Sequence, residues 1–177
     1  MKGIIIYKSK YGSTRKYAGW LKEATGFEMV EADKAKIDEV AQCDTIIFGG
    51  GIYAGGIAGV NFLKKNIAKL KGKKIVAFCC GASPFDAGFF NALKERNFAG
   101  DLAGIPLYYC RGGYDLASMH FMDKTLCKLL GKSVAKKDPA EREVWETALV
   151  DSAGAAHDWT DRSFIDPILK ECKTALL

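Results

Sequence analysis

The chain alternates between short apolar runs and amphipathic stretches, and this alternation restricts its fold more than any other feature. The apolar runs are typical of β-strands, and they cover residues 3–8, 28–31, 45–49, 74–80 and 105–110. Helical stretches lie between them, at residues 13–25, 36–40, 60–70 and 87–97. All the strands except the second are continuously apolar, as expected where helices cover both faces of a parallel sheet. Right-handed crossovers then predict an α/β three-layer sandwich around a doubly wound, five-stranded parallel sheet.

The pattern changes after the fifth predicted strand. Further helical stretches are predicted at residues 116–130, 140–150 and 158–172, and Pro167 is expected to kink or shorten the last of them. A minimal five-stranded fold of this kind needs only one helix after its last strand. We therefore predict a single domain over residues 1–177 in which residues 112–157 form a helical insertion.

Composition excludes several classes of protein. The chain is 49% hydrophobic and 27% charged, as in soluble globular proteins. Residues 45–62 carry no charge, but their six glycines favour a strand, a loop and a helix over a membrane span. The six cysteines form no C-x-x-C and no zinc spacing, which favours free thiols in a reducing cytoplasm. The lysine-rich run 64–74 lacks interleaved aromatics, so we expect no nucleic-acid binding.

Residues 9–14 read Ser-Lys-Tyr-Gly-Ser-Thr and join the first strand to the first helix. Backbone N–H groups of such a loop converge with the helix N-terminus, where partial positive charge favours an anion. Three hydroxyl side chains add donors, and Gly12 lets the backbone approach closely. The loop carries neither a dinucleotide fingerprint nor a P-loop motif. It therefore predicts a phosphate site of another kind, although an ordinary capped helix is the alternative.

This loop resembles the phosphate loop of flavodoxins, in which Thr usually stands at the position of Tyr11. The resemblance implies FMN as the cofactor, a strand order of 2-1-3-4-5, and a ring site between the loops after strands 3 and 4. The first of these loops, residues 49–56, is rich in glycine and carries Tyr53, which could stack on the flavin ring. The second, residues 81–86, begins with three small residues that suit contacts through backbone amides.

A narrower resemblance rests on residues 48–55, 111–115, 121–124 and 158–159. These segments are similar to the flavodoxin-domain family that includes menaquinone-dependent protoporphyrinogen oxidase. That likeness implies an FMN-dependent oxidoreductase that passes electrons from an organic, porphyrinogen-like substrate to a quinone. The flavin would supply the redox chemistry, so no catalytic side chain and no metal site are predicted. The predicted cofactor-binding residues are Ser9, Tyr11, Gly12, Ser13, Thr14, Gly50, Gly51, Ile52, Tyr53, Ala54, Gly81, Ala82 and Ser83.

Two other functions stay open at this point. The chain could be a flavodoxin-type electron carrier for protein partners, although its net charge of +5 differs from the acidic character of such carriers. It could also be a flavin-free domain that binds a partner. A helical stripe in the insertion is flanked by lysines and suits either the domain core or a membrane surface; its members are Met119, Met122, Leu126, Leu129 and Leu130. We expect a cytoplasmic protein, with peripheral contact to the inner face of the membrane as an alternative, and the sequence leaves its oligomeric state open.

Overall fold

The computed structural model describes residues 2–173 and builds the chain around one parallel sheet. Its strands are β1 Gly3–Lys8, β2 Glu28–Glu31, β3 Thr45–Tyr53, β4 Gly56–Ile57, β5 Lys74–Gly81, β6 Leu107–Arg111, β7 Gly113–Tyr114 and β8 His157–Asp158. Its α-helices are α1 Ser13–Thr25, α2 Ile37–Val40, α3 Asn61–Asn66, α4 Ala87–Asn97, α5 Phe121–Val134, α6 Val144–Asp151 and α7 Asp166–Lys173. Short 3-10 helices cover Ile67–Leu70, Gly100–Leu102, Pro139–Glu141 and Arg162–Ile165.

The five parallel strands lie in the order β2-β1-β3-β5-β6. The short β4 pairs antiparallel with the end of β3, so this order corresponds to the predicted 2-1-3-4-5. Helices α1 and α7 cover one face, and α3 and α4 cover the other. The predicted α/β, doubly wound fold is therefore confirmed.

Each face of the sheet has its own hydrophobic core, because successive side chains of a strand point in opposite directions. Ile6 of β1 packs under α3 and α4, whereas Ile5 packs under α1 and α7, and both are fully buried. The adjacent thiols of β5 separate in the same way, with Cys79 in the first core and Cys80 in the second. The adjacent cysteines of β5 are therefore buried on opposite faces of the sheet.

The segment after the third strand differs from the predicted glycine-rich loop. β3 continues to Tyr53, and a two-residue turn at Ala54 and Gly55 reverses the chain into β4. Both turn residues have positive φ, 48° and 73°, as a tight hairpin turn of the primed type requires. The strand was underestimated because its last residues include three consecutive glycines, which usually interrupt strands.

The segment predicted to be an insertion begins and ends at a small β-bridge. β7 follows β6 directly and pairs antiparallel with β8, so that Gly113 faces Asp158 and Tyr114 faces His157. Between these strands lie α5 and α6, and α5 starts later than predicted because Asp115 caps a turn at Ala117 and Ser118. None of the helices within residues 2–173 is long and apolar enough to cross a bilayer.

The last helix is shorter than the predicted 158–172. A 3-10 helix precedes it, and α7 itself starts at Asp166. Pro167 is therefore in the first turn, where its missing N–H costs no intrahelical hydrogen bond. The proline sets where α7 begins and does not kink it.

The close contact between β3 and β5 predicts a sharp difference between two Gly→Ala substitutions. A Cβ at Gly49 would overlap the buried ring of Phe78, whereas a Cβ at Gly19, inside α1, meets no atom within 4 Å. We expect Gly49→Ala to lower the free energy of unfolding by about 1–3 kcal/mol, the usual cost of overpacking a core. Gly19→Ala should raise it by roughly 0.5–1 kcal/mol. Urea unfolding of both variants checks the pair, and equal effects would contradict the packing described for Gly49.

Candidate functional site

A cavity of about 410 Å³ lies at the carboxyl ends of β1, β3 and β5, where ligands bind in open α/β sheets. Its volume is within the range of small-molecule sites. Ten of the thirteen predicted site residues line it: Ser9, Tyr11, Ser13, Thr14, Gly51, Ile52, Tyr53, Ala54, Gly81 and Ala82. The three predicted loops thus meet around one space.

The other three predicted residues lie close by without lining this cavity. Gly12 lines a neighbouring cavity of about 500 Å³. Gly50 is buried in β3, where a Cβ would overlap the carbonyl oxygen of Ala58. Ser83 contributes its carbonyl oxygen to a hydrogen bond from the Tyr109 hydroxyl, at 2.5 Å. Gly50 and Ser83 therefore support the walls of the cavity from behind, and neither residue lines it.

The loop between β1 and α1 has hydroxyl donors ready for an anion. Ser9 Oγ accepts a hydrogen bond from the Gly12 N–H at 3.1 Å, and Ser13 Oγ accepts one from the Gly113 N–H at 3.0 Å. Because a hydroxyl has a single hydrogen, each serine can still donate it to a ligand. The first bond of α1 runs from the Lys16 N–H to the Gly12 carbonyl, so the preceding N–H groups of the first turn lack intrahelical partners. This arrangement suits a phosphate.

Thr14 and Tyr11 take different places from the two serines. Thr14 is only 2% exposed and its hydroxyl lies beside the Cys80 thiol. Burial raises the pKa of that thiol to about 12, so Cys80 is protonated at neutral pH. The Tyr11 hydroxyl donates to the Asp123 carboxylate of α5. The hydroxyl of Tyr11 is thus occupied by a residue of α5, although the tyrosine still lines the cavity.

Tyr53 forms the wall on the β3 hairpin side. Its hydroxyl accepts a hydrogen bond from the Lys10 N–H at 3.3 Å, which ties the hairpin to the phosphate loop. The ring folds over Gly51, because a Cβ on that glycine would lie 2.8 Å from the tyrosine ring. The Lys10 ammonium lies 5.7 Å from the centre of the same ring, a cation–π distance.

Helix α5 supplies the remaining wall, and this part of the site was not predicted. Its cavity-lining residues, together with those just before it, are Tyr114, Met119, Asp123, Leu126, Cys127 and Leu130. Lys10, Cys80, Gly112 and Gly113 complete the lining. The apolar stripe of the insertion was the signal in the sequence, but its spacing alone did not indicate which surface it faces.

One carboxylate fixes α5 to the phosphate loop. Asp123 accepts a hydrogen bond from Tyr11 and pairs with the Lys10 ammonium. The Lys10 bond holds the pKa of Asp123 below its ordinary value, and the same bond raises the pKa of Lys10. Both groups therefore stay charged at neutral pH, and the contact would weaken as acid protonates Asp123 or as strong base deprotonates Lys10.

The family model for the flavodoxin domain matches residues 4–141. The chain belongs to the flavodoxin-domain family. Membership points to FMN, the cofactor that the sequence predicted, and the residues present fit it: two free serine hydroxyls, an open helix N-terminus and a cavity with glycine-lined walls. No curated protein sequence matches the chain.

Solved structures of similar proteins share little sequence with this flavodoxin-domain protein. A flavodoxin from the domain Archaea is 21% identical, with 77% of this chain and 97% of that chain covered and a TM-score of 0.48. A flavoprotein from Bacteroides eggerthii is 18% identical, with coverages of 77% and 99% and a TM-score of 0.48. A flavoprotein from Lactobacillus acidophilus, solved in complex with FMN, is 16% identical, with coverages of 62% and 91% and a TM-score of 0.43.

The free hydroxyl of Ser13 predicts a phosphate-specific defect. Ser13→Ala should weaken FMN binding by about 1.5–3 kcal/mol, the usual value of a hydrogen bond to a charged group. Riboflavin lacks the phosphate, so its affinity should hardly change. Titration of the apoprotein, followed by flavin fluorescence, measures the affinities for FMN and for riboflavin. The control is Ser133→Ala, which replaces an exposed serine of α5. Equal losses for FMN and riboflavin would show that Ser13 does not contact the phosphate.

Proposed function

We propose that this flavodoxin-domain protein is an FMN-dependent oxidoreductase that takes electrons from an apolar organic substrate and passes them to a quinone. The observation that carries the proposal is the wall of α5, which closes the cavity with Met119, Leu126 and Leu130. Small-molecule substrates bind in concave, mostly apolar sites with a few polar groups. An electron carrier that only docks on proteins needs no such wall.

Each part of the cavity has a role in this proposal. FMN, when bound, supplies the electron transfer. Ser9, Ser13 and the first turn of α1 would hold its phosphate, and residues 50–54 and 81–83 would frame its ring. Helix α5 would exclude water and hold the substrate against the ring. No side chain is required as an acid, a base or a nucleophile.

The finer form of the proposal takes a porphyrinogen-like donor, as the resemblance to protoporphyrinogen oxidase suggests. The rim of the cavity supports a broad, apolar donor. Tyr53 on the hairpin and Leu126 on α5 both line the cavity, and they are 37% and 62% exposed. Large exposed apolar side chains around one opening suit a ligand wider than the cavity itself.

We also propose peripheral membrane contact through the outer side of α5, which fits a cytoplasmic protein that reduces a membrane quinone. Phe121 and Met122 are 82% and 81% exposed, and Lys128 and Lys132 are exposed on the same helix. Apolar and basic residues on one surface helix suit an anionic bilayer.

The second candidate is an electron carrier for a protein partner. It is favoured by the cations near the cavity, since Lys8 and Lys10 keep 36% and 42% of their side chains exposed while each also pairs with a carboxylate, Asp33 and Asp123. Such a surface would attract an acidic partner. The third possibility, a flavin-free partner-binding domain, requires that the chain bind no flavin.

The first experiment is the visible spectrum of the purified protein after FMN is added and excess flavin is removed. Flavin bands near stoichiometry are expected. Anaerobic turnover with a porphyrinogen donor and a quinone acceptor then follows. A colourless protein would remove the oxidoreductase and carrier proposals together, whereas a flavoprotein that reduces partner proteins and leaves small donors unchanged would favour the carrier.

Two leucines of α5 separate the substrate wall from the membrane surface. Leu126 and Leu129 are almost equally exposed, at 62% and 61%, but only Leu126 lines the cavity. We expect Leu126→Gln to raise the KM for an apolar donor roughly fivefold, which is about 1 kcal/mol of lost apolar contact, without weakening FMN binding. Leu129→Gln should leave the KM unchanged and reduce co-sedimentation with anionic vesicles. Equal kinetic effects of the two substitutions would argue against a substrate wall.

A further inference from the structure

Three consecutive carbonyl groups, which begin at the last residue of β5, are bound by residues at the end of the edge strand β6 and directly after it. The Gly81 oxygen accepts from the Gly112 N–H at 2.7 Å. The Ala82 oxygen accepts from the Arg111 Nε–H at 3.2 Å, and the Ser83 oxygen accepts from the Tyr109 hydroxyl at 2.5 Å. The whole loop is thus held by its carbonyl side.

This orientation determines where the N–H groups of the loop point. In a planar trans peptide, the N–H of one residue is opposite to the carbonyl of the residue before it. The N–H groups of Ala82 and Ser83 therefore point away from Gly112 and from the Arg111 side chain, which bind the preceding carbonyls, and Ala82 itself lines the cavity. Within residues 2–173 neither N–H has an acceptor. Backbone N–H groups normally require a partner, so these two are available to a ligand.

The two side chains that hold the loop are themselves fixed. Tyr109 passes close to Gly81, where a Cβ would lie 2.9 Å from the tyrosine hydroxyl oxygen. Burial raises the pKa of Tyr109 to about 12, so its hydroxyl remains a donor at neutral pH. The Arg111 guanidinium lies 4.2 Å from the centre of the Trp159 ring, and that ring stacks on His157 at 4.8 Å. The end of the insertion thus supports Arg111.

We propose that Tyr109 and Arg111 are positioning residues for the flavin ring, a proposal that rests on FMN binding. Neither side chain lines the cavity, so both act through the loop. They aim the N–H groups of Ala82 and Ser83 at the oxygen-bearing edge of the ring. Reduction places additional electron density on that edge. Fixed N–H donors, together with the positive charge of Arg111 behind them, then stabilise the reduced flavin and raise its potential.

The chain offers a matched pair for the test. Tyr109→Phe removes the hydroxyl that holds Ser83. Tyr108→Phe removes the neighbouring hydroxyl of the same strand, which donates to Glu171 of α7 at 3.1 Å. We expect Tyr109→Phe to lower the affinity for FMN and the affinity for riboflavin by the same factor, because the two flavins share the ring. The factor should be roughly 2- to 12-fold, the value of one hydrogen bond. The two-electron midpoint potential of FMN bound to Tyr109→Phe should become more negative. Tyr108→Phe should match the wild type in flavin affinity and in midpoint potential.

Arg111 gives an independent test. Arg111→Lys keeps the charge and loses the Nε–H donor, whereas Arg111→Gln loses both. In each variant we expect the affinities for FMN and for riboflavin to fall by the same factor. The midpoint potential of the bound flavin should fall further in Arg111→Gln than in Arg111→Lys. Thermal unfolding of each apoprotein identifies any variant that fails to fold, and the remaining variants then carry the test.

The outcomes separate this inference from the proposed function. If the wild-type chain binds neither flavin, FMN binding and the inference fall together. If the wild type binds FMN but Tyr109→Phe and the Arg111 variants match it in affinity and potential, only the inference is wrong. A loss confined to FMN, with riboflavin unchanged, would also overturn it, since that pattern belongs to the phosphate end.

Discussion

Parallel pairing of β1, β3 and β5 is the constraint on which the rest of this structure depends. Their register aligns Lys8 with Gly50 and Gly51 with Cys80, so the three strands end at one edge of the sheet. The loops that follow must then meet above that edge. Both hydrophobic cores serve this pairing, because helices on each face hold strands that are apolar on both sides. The site is a consequence of where the strands stop.

Local chemistry explains why the bounds of two helices could be predicted from the sequence. The phosphate loop, the start of α1 and the bounds of α1 and α4 depend on nearby residues, and α1 and α4 match the predicted ranges 13–25 and 87–97. The hairpin at the end of β3 was not predicted because glycines weaken the sequence signal for a strand. In the structure these glycines pair with β5, so the strand continues through them. The wall of α5 was hidden for a different reason. It depends on a contact between Tyr11 and Asp123, which are 112 residues apart, and no local pattern encodes such a distance.

Charge around the phosphate loop is balanced by the segment that was predicted to be an insertion. Lys10 pairs with Asp123, and Lys16 pairs with Asp158 at 2.8 Å. Lys8, directly before the loop, pairs with Asp33, so all three of these lysines have carboxylate partners before any ligand arrives. Neutral donors, the serine hydroxyls and the backbone N–H groups, remain for an anion. Lys10 attaches α5 to the phosphate loop, whereas Lys16 attaches α1 to β8, since Asp158 lies directly after residues 112–157.

The short pairing of β7 with β8 has a consequence for how this chain can vary. Neighbouring strands lie about 5 Å apart, so Tyr114 and His157, which face each other in that pairing, could be joined by a two-residue turn. Everything between them would then be removed without moving either end. A hairpin in that place would leave the sheet and the phosphate loop in place and open the cavity to solvent. The same pair of strands could hold a segment of another length, so a change confined to the residues between Tyr114 and His157 would alter what reaches the cavity without disturbing the sheet.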